Sequence, residues 1–279
     1  MKLAAIFCVW HDWDMLTYAV VNIRPVVDGV IIVASEKSNY GEESKIPNAW
    51  GSEASRLHNR VVGIEWCRFE PTEGLPPREN ETRKRNKGLS AAVFEGYTHF
   101  IMLDADELYD RKQFLAEKQR FIDNPDLAGL VCASRVYFKS PKLTIGLDRT
   151  LVPFIHKLTP TLRHEFNKNY PFAWEGKNIR IDPTRSLNIN SGVEWSPIIM
   201  EHYSWVRKDI EIKIRNSTAR ANIERSTIRK DFAQARENYY CEFYGKTLIR
   251  ASVDFNIPEF DVSDIQPPSP ETWPTPKDS

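Results

Sequence analysis

The feature that most constrains this 279-residue chain is an apolar run that ends abruptly in acid, Phe100-Ile101-Met102-Leu103-Asp104-Ala105-Asp106-Glu107. A run of this length buries itself as a core strand, and alternation puts Phe100, Met102, Asp104 and Asp106 on one face. Strand and helix patterns alternate around it. Residues 3–10 form a strand-length apolar run, and Asp12 or Asp14 can open a helix carrying Leu16, Ala19, Val20 and Ile23 at i, i+3, i+4, i+7. Gly29 precedes a second buried strand over 30–34, and residues 61–69 supply a third. Pro76-Pro77 ends the connection, and Glu79 or Asn80 starts a helix reaching about Gly96. After the acidic strand come a helix over 111–122 and a fifth strand over 127–138. Such alternation implies an α/β fold, a mostly parallel sheet with helices on both faces.

The second half reads differently. Residues 139–200 hold short apolar pieces among Pro141, Pro153, Pro160, Pro171, Pro183 and Pro197, a pattern of irregular strands and loops. From about Val206 to Tyr244 the spacing turns helical, and 205–250 carries eleven lysines and arginines against six acids. The expected organisation is an α/β half over 1–140, further strands and loops of the same domain over 141–204, helices over 205–257, and a proline-rich tail over 258–279. Lysine plus arginine equals aspartate plus glutamate at 38 each, so net charge alone favours neither nucleic acid nor membrane. Cys8, Cys67, Cys132 and Cys241 lie far apart, with no zinc spacing, and read as thiols of a reducing compartment. The first residues read as a strand rather than a signal peptide, and no run of about 18 apolar residues occurs. The expectation is a cytoplasmic protein without a transmembrane segment.

A core strand that delivers two aspartates to its carboxyl end builds a site for a hard divalent cation, at the sheet edge where α/β folds bind ligands. The segment from Arg83-Lys84-Arg85-Asn86-Lys87-Gly88-Leu89 through Gly96-Tyr97 to Leu103-Asp104-Ala105-Asp106 resembles the family 2-like glycosyltransferases of GT-A fold. In that family an (Arg/Lys)-Asn-x-Gly helix precedes a strand ending in a DxD motif. The resemblance implies a Rossmann-like GT-A sheet with a helix-rich C-terminal extension. It also implies a nucleotide-diphosphate sugar as donor and Mn²⁺ or Mg²⁺ as cofactor.

By the family pattern Asp106 ligates the metal, Asp104 binds it or the ribose hydroxyls, and Arg85 contacts the diphosphate. Asn86 lies on a stripe with Leu89, Val93 and Gly96 and should face the sheet, available to strand ends or nucleotide. His202, closing the run Ile198–His202 before Tyr203-Ser204-Trp205, resembles the point where GT-A enzymes supply a third metal ligand. Asp12, in the turn after the first strand, and Ser35, in the loop after the second, should cradle the nucleotide. Asp12 serves equally well as a helix cap. The D-x-S-x-D pattern frequent in the family after the second strand is absent, which leaves the base unspecified. An inverting transfer needs a general base, and Glu175 in Phe172-Ala173-Trp174-Glu175-Gly176 is the leading candidate, with Glu165 and Asp182 as rivals.

Two other classes compete. An aspartyl phosphatase or phosphotransferase also places DxD at a strand end, but normally on the first strand. A non-catalytic nucleotide- or glycan-binding module would keep the sheet without turnover. The acceptor is a polysaccharide, a lipid-linked glycan, a protein or, given the basic aromatic stretch 205–250, a modified base in DNA.

Overall fold

The computed structural model describes residues 1–11, 13–44, 57, 63–166, 180–217 and 225–257. Strands β1 (Leu3–Val9), β2 (Gly29–Ala34), β3 (Ile64–Arg68) and β4 (His99–Asp104) lie side by side in the order β3-β2-β1-β4, all parallel. Every residue of β2 is buried, as a strand covered on both faces requires. Side chains alternate between two cores. Leu3, Ala5, Phe7 and Val9 join one with α1 (Trp13–Ile23) and α3 (Arg111–Asp123), while Ala4 and Ile6 join another under α2 (Pro77–Phe94). The fold is therefore α/β, with helices on both faces of the sheet.

Beyond β4 the pairing is mixed. The sheet continues through β7 (Ser140–Lys157), β6 (Gly129–Phe138), β9 (Val193–Trp205) and β5 (Glu107–Tyr109), with β6 and β9 parallel and the other contacts along this path antiparallel. Two expectations change here. The proline-dotted stretch holds two longer strands than expected, since β7 runs for 18 residues and β9 for 13, while 158–166 and 182–192 between them are loop as expected. Pro153 lies within β7 opposite Val131 of β6, where the β6–β7 register shifts, and does not end the strand. Pro76 and Pro77 also do more than end a connection. Pro76 is the helix cap and Pro77 the first residue of α2, where a missing N–H costs nothing.

The acidic segment itself departs from alternation. β4 stops at Asp104, Ala105-Asp106 forms a turn, and Glu107 begins β5. Asp104 and Asp106 therefore do not share a strand face. Asp110 caps α3, its Oδ1 accepting from the Gln113 N–H at 2.8 Å.

Two-residue β8 (Arg180–Ile181) joins β7 in parallel and leads into the 182–187 loop. The C-terminal part holds α4 (Ile210–Asn216), α5 (Arg225–Gln234), the antiparallel pair β10 (Tyr240–Cys241) and β11 (Lys246–Thr247), and β12 (Ile249–Arg250) on β7. Asp231, fully buried in α5, organises this part by accepting from the Tyr239 hydroxyl, the Cys241 thiol and the Phe243 N–H. Among the described residues no helix is long and apolar enough to cross a membrane.

Candidate active site

The carboxyl ends of β1 and β4, the amino-terminal half of α2, the 182–187 loop, the end of β9 and α4 enclose a cleft of about 520 Å³. Its geometry begins with α2. The buried face of this helix is Lys84, Arg85, Gly88, Leu89 and Ala92, one position earlier than the stripe expected through Asn86. At Gly88 an added Cβ would lie 2.4 Å from Ile6 Cγ2, so the helix backbone rests directly on the sheet. The carboxyl half of α2 covers the sheet with apolar residues, and the amino half overhangs the rim and buries cations instead.

Those cations are anchored. Lys84 donates to the Val9 carbonyl at 2.6 Å and to Ser35 Oγ at 2.9 Å, tying together the ends of β1 and β2. Burial lowers its pKa to about 8. Ser35 is thereby buried and already engaged. Arg85, 1% exposed, donates to Glu81 Oε1 at 2.8 Å and lies 3.3 Å from Asp104 Oδ1. Asn86 points elsewhere. Its amide donates to the His164 carbonyl at 3.0 Å and accepts the His164 N–H at 2.7 Å, strapping α2 to a loop outside the cleft.

The acidic residues separate into two settings. Asp104 lies between Arg85 and Arg185, whose Nη2 donates to Asp104 Oδ2 at 2.7 Å. Burial pushes the Asp104 carboxyl upward, but Arg85 and then Arg185 outweigh it and hold the group well below the usual range. Asp106, 2% exposed, accepts from Arg207 at 2.6 Å, with Lys213 Nζ at 3.8 Å and His202 Nε2 at 3.6 Å. Burial again works upward there, and Lys213, His202 and Arg207 together lower the pKa. The β5–β9 register sets Glu107 opposite His202. Glu107 takes a two-pronged contact from Arg185 and accepts the Asp104 N–H at 3.0 Å. Burial raises its pKa despite Arg185. Asp106 and Glu107 are buried, Asp104 is half-buried, and all three are paired, unlike a solvated acidic turn.

Asp106, Glu107 and His202 each offer a ligand atom, all within 4.8 Å of one another. Two carboxylates and an imidazole form a donor set that suits a divalent cation. Asp104 stands outside this trio, and Glu107 is the third member of it. His202 and Asp104 also line the cleft, as do Trp10 and His11 from the turn after β1. Asp12 and Glu175 lie outside the described residues. Of the rivals to Glu175, Asp182 lines the cleft, while Glu165 pairs with Arg163 at 2.8 Å away from it.

Arg185 was not legible in the sequence. It is 2% exposed and joins Glu107, Asp104, the Met102 carbonyl and Asp182. Its tetrapeptide Asp182-Pro183-Thr184-Arg185 carries no recognisable motif. Arg207 and Lys213 fall within the noted basic stretch, but their shared partner depends on β9 bringing Trp205 beside the turn. A signal existed in their closeness to the His202-Tyr203-Ser204-Trp205 strand end.

No family model matches the sequence, and no curated protein matches it. Among solved structures, Staphylococcus aureus TarS 1–349 aligns with a TM-score of 0.45 at 14% identity, over 84% of this chain and 71% of that one. The same protein in complex with UDP aligns with a TM-score of 0.36 at 16% identity, over 49% and 36%. Mannose-1-phosphate geranyltransferase from Thermus thermophilus aligns with a TM-score of 0.31 at 12% identity, over 51% and 43%. The chain thus spans less than half of the length of the latter two.

Proposed function

We propose that this protein is a glycosyltransferase that takes a sugar from a nucleotide-diphosphate donor and passes it to a hydroxyl acceptor. The observation that carries this reading is the cleft at the carboxyl end of a parallel sheet, lined by Glu107, His202, Arg85, Arg185, Arg207 and Lys213, with buried Asp106 joining Glu107 and His202 in one cluster. Anionic donors need cations around them, and bond cleavage leaves a diphosphate whose growing charge requires stabilisation. A divalent ion, Mn²⁺ or Mg²⁺, would be held by Asp106, Glu107 and His202, where it supplies charge neutralisation to the departing diphosphate. The imidazole in the set favours Mn²⁺.

The chain's own residues have separable roles. Arg207 and Lys213 contact Asp106 on one oxygen and stand ready to exchange that contact for donor phosphates. Arg85 and Arg185 fix Asp104 in its ionised form, oriented to accept hydrogen bonds from ribose hydroxyls. Arg185 further aligns Glu107 with the end of β4. Asp12 remains a candidate for donor binding and Glu175 for the general base, with Asp182 as the alternative already in the cleft. Ser35 acts through Lys84, shaping the rim rather than touching the donor.

The test is a thermal-shift screen of UDP, GDP, CDP and TDP, each with and without Mn²⁺. Binding to the native state alone raises stability by about 2.7 kcal/mol at a hundredfold excess over Kd. A metal-enhanced shift with one nucleotide is expected. The absence of any shift in folded protein would overturn the donor assignment.

A further inference from the structure

The cleft has two chemically distinct kinds of lining. Arg78, Lys84, Arg85, Arg185, Arg207 and Lys213 line it, and so do the clustered aromatics Trp205, Phe243 and Tyr244, with Asp148 and Thr150 also in the lining. The aromatic wall is built rather than incidental. Tyr244 accepts the Trp205 indole N–H at 2.6 Å. Phe243 sets edge-on to Tyr244, with centroids 4.9 Å apart at 83°, and to Trp205, at 5.9 Å and 78°. Buried Asp231 receives the Phe243 N–H at 2.8 Å and so fixes the turn that presents both rings. Phe243 and Tyr244 remain partly exposed while Trp205 is 4% exposed, which leaves a half-open apolar face beside a carboxylate and a hydroxyl.

We infer that this wall is the acceptor subsite and that it takes a neutral saccharide, an inference that rests on the transferase reading. Sugar rings offer apolar C–H faces for stacking on aromatic side chains and hydroxyls for partners such as Asp148 and Thr150. The charge distribution argues against a nucleic acid here. Several cations of the basic stretch already pair with the protein's own acids, with Arg215 on Glu42 at 2.9 Å, Arg229 on Glu211 at 2.7 Å and Lys230 on Glu242 at 2.7 Å. Arg207 and Lys213 face Asp106. A phosphate-rich polymer needs cations free to meet its phosphates, and these five are already neutralised by carboxylates.

Saturation-transfer NMR on the full chain tests this directly. The probes are methyl glycosides of glucose, galactose, mannose and N-acetylglucosamine, and a single-stranded DNA oligonucleotide. At least one glycoside should receive saturation on its ring protons, and Phe243→Ala should weaken that binding roughly tenfold, the loss of one stacked ring. Asp148→Asn, which leaves the aromatic wall in place, should weaken it to a smaller degree. Nucleotide thermal shifts should be unchanged in both variants, which also verifies that they fold. No saturation with any glycoside, equal binding in Phe243→Ala, or salt-sensitive DNA binding in place of glycoside binding would overturn the subsite. Nucleotide binding without glycoside binding removes the subsite alone. Glycoside binding without nucleotide binding supports the subsite and removes the donor reading.

Discussion

The two halves of α2 teach opposite lessons about stability. Toward its carboxyl end the helix lies on β1 and β2 through Gly88, Leu89 and Ala92, and the contact is apolar and close. Toward its amino end the same buried face carries Lys84 and Arg85 into a rim where each charge has a fixed partner. The first region is stabilised by removing apolar surface from water, the second by compensating charges already removed from water. Apolar packing fails gradually when trimmed. A buried charge network fails abruptly when one member is lost.

The sharpest way to break the comparison is Arg185→Met. It strands Glu107, 1% exposed, and deprives Asp104 of one of its two arginines. Breaking a buried pair costs about 3–5 kcal/mol, which urea unfolding would read as a lower midpoint. Adding Glu107→Gln should recover part of that loss, because the stranded charge disappears. On the apolar side, Gly88→Ala forces Ile6 aside and should cost about 1–3 kcal/mol. Its nucleotide thermal shift should stay unchanged, since the strain lies below the rim.

Acid should weaken the fold in a defined window. Burial lowers the pKa of His156 to about 3 from an ordinary 6.5. Between those values the unfolded chain binds the proton that the folded chain refuses, so stability falls as pH falls from 6.5 toward 3. The drop attributable to His156 is about 2 kcal/mol between roughly pH 6.5 and 5. In His156→Gln that part of the slope should vanish in urea titrations at stepped pH. His164, also buried, acts in the same direction and keeps the remaining slope from reaching zero. The smallest effect expected is Asp110→Ala, which removes the α3 cap and costs about 1 kcal/mol, with no change in nucleotide binding.

Much of the parallel half was legible because its apolar runs alternate with helix-period spacing, and burial on both faces leaves those runs uninterrupted. The rim was legible only in part. Asp104 announced itself by ending a core strand, Asp106 by following it directly, and His202 by closing an apolar run. Glu107 looked like one more acid in a turn, since nothing local reveals that residues 107–109 pair with β9. Arg185 reaches the site from a loop separated by 81 residues from Asp104, a contact set by tertiary pairing rather than spacing. The face of α2 was misjudged because cations on its buried side erase the apolar stripe that would mark it.

The most direct measurement is electron paramagnetic resonance of Mn²⁺ titrated into the protein with the nucleoside diphosphate that gives the largest thermal shift. The account predicts one tightly held equivalent, lost in Asp106→Asn, weakened in His202→Ala and largely retained in Asp104→Asn. Free Mn²⁺ throughout, or equal binding in wild type and Asp106→Asn, would contradict a metal–diphosphate site at this rim.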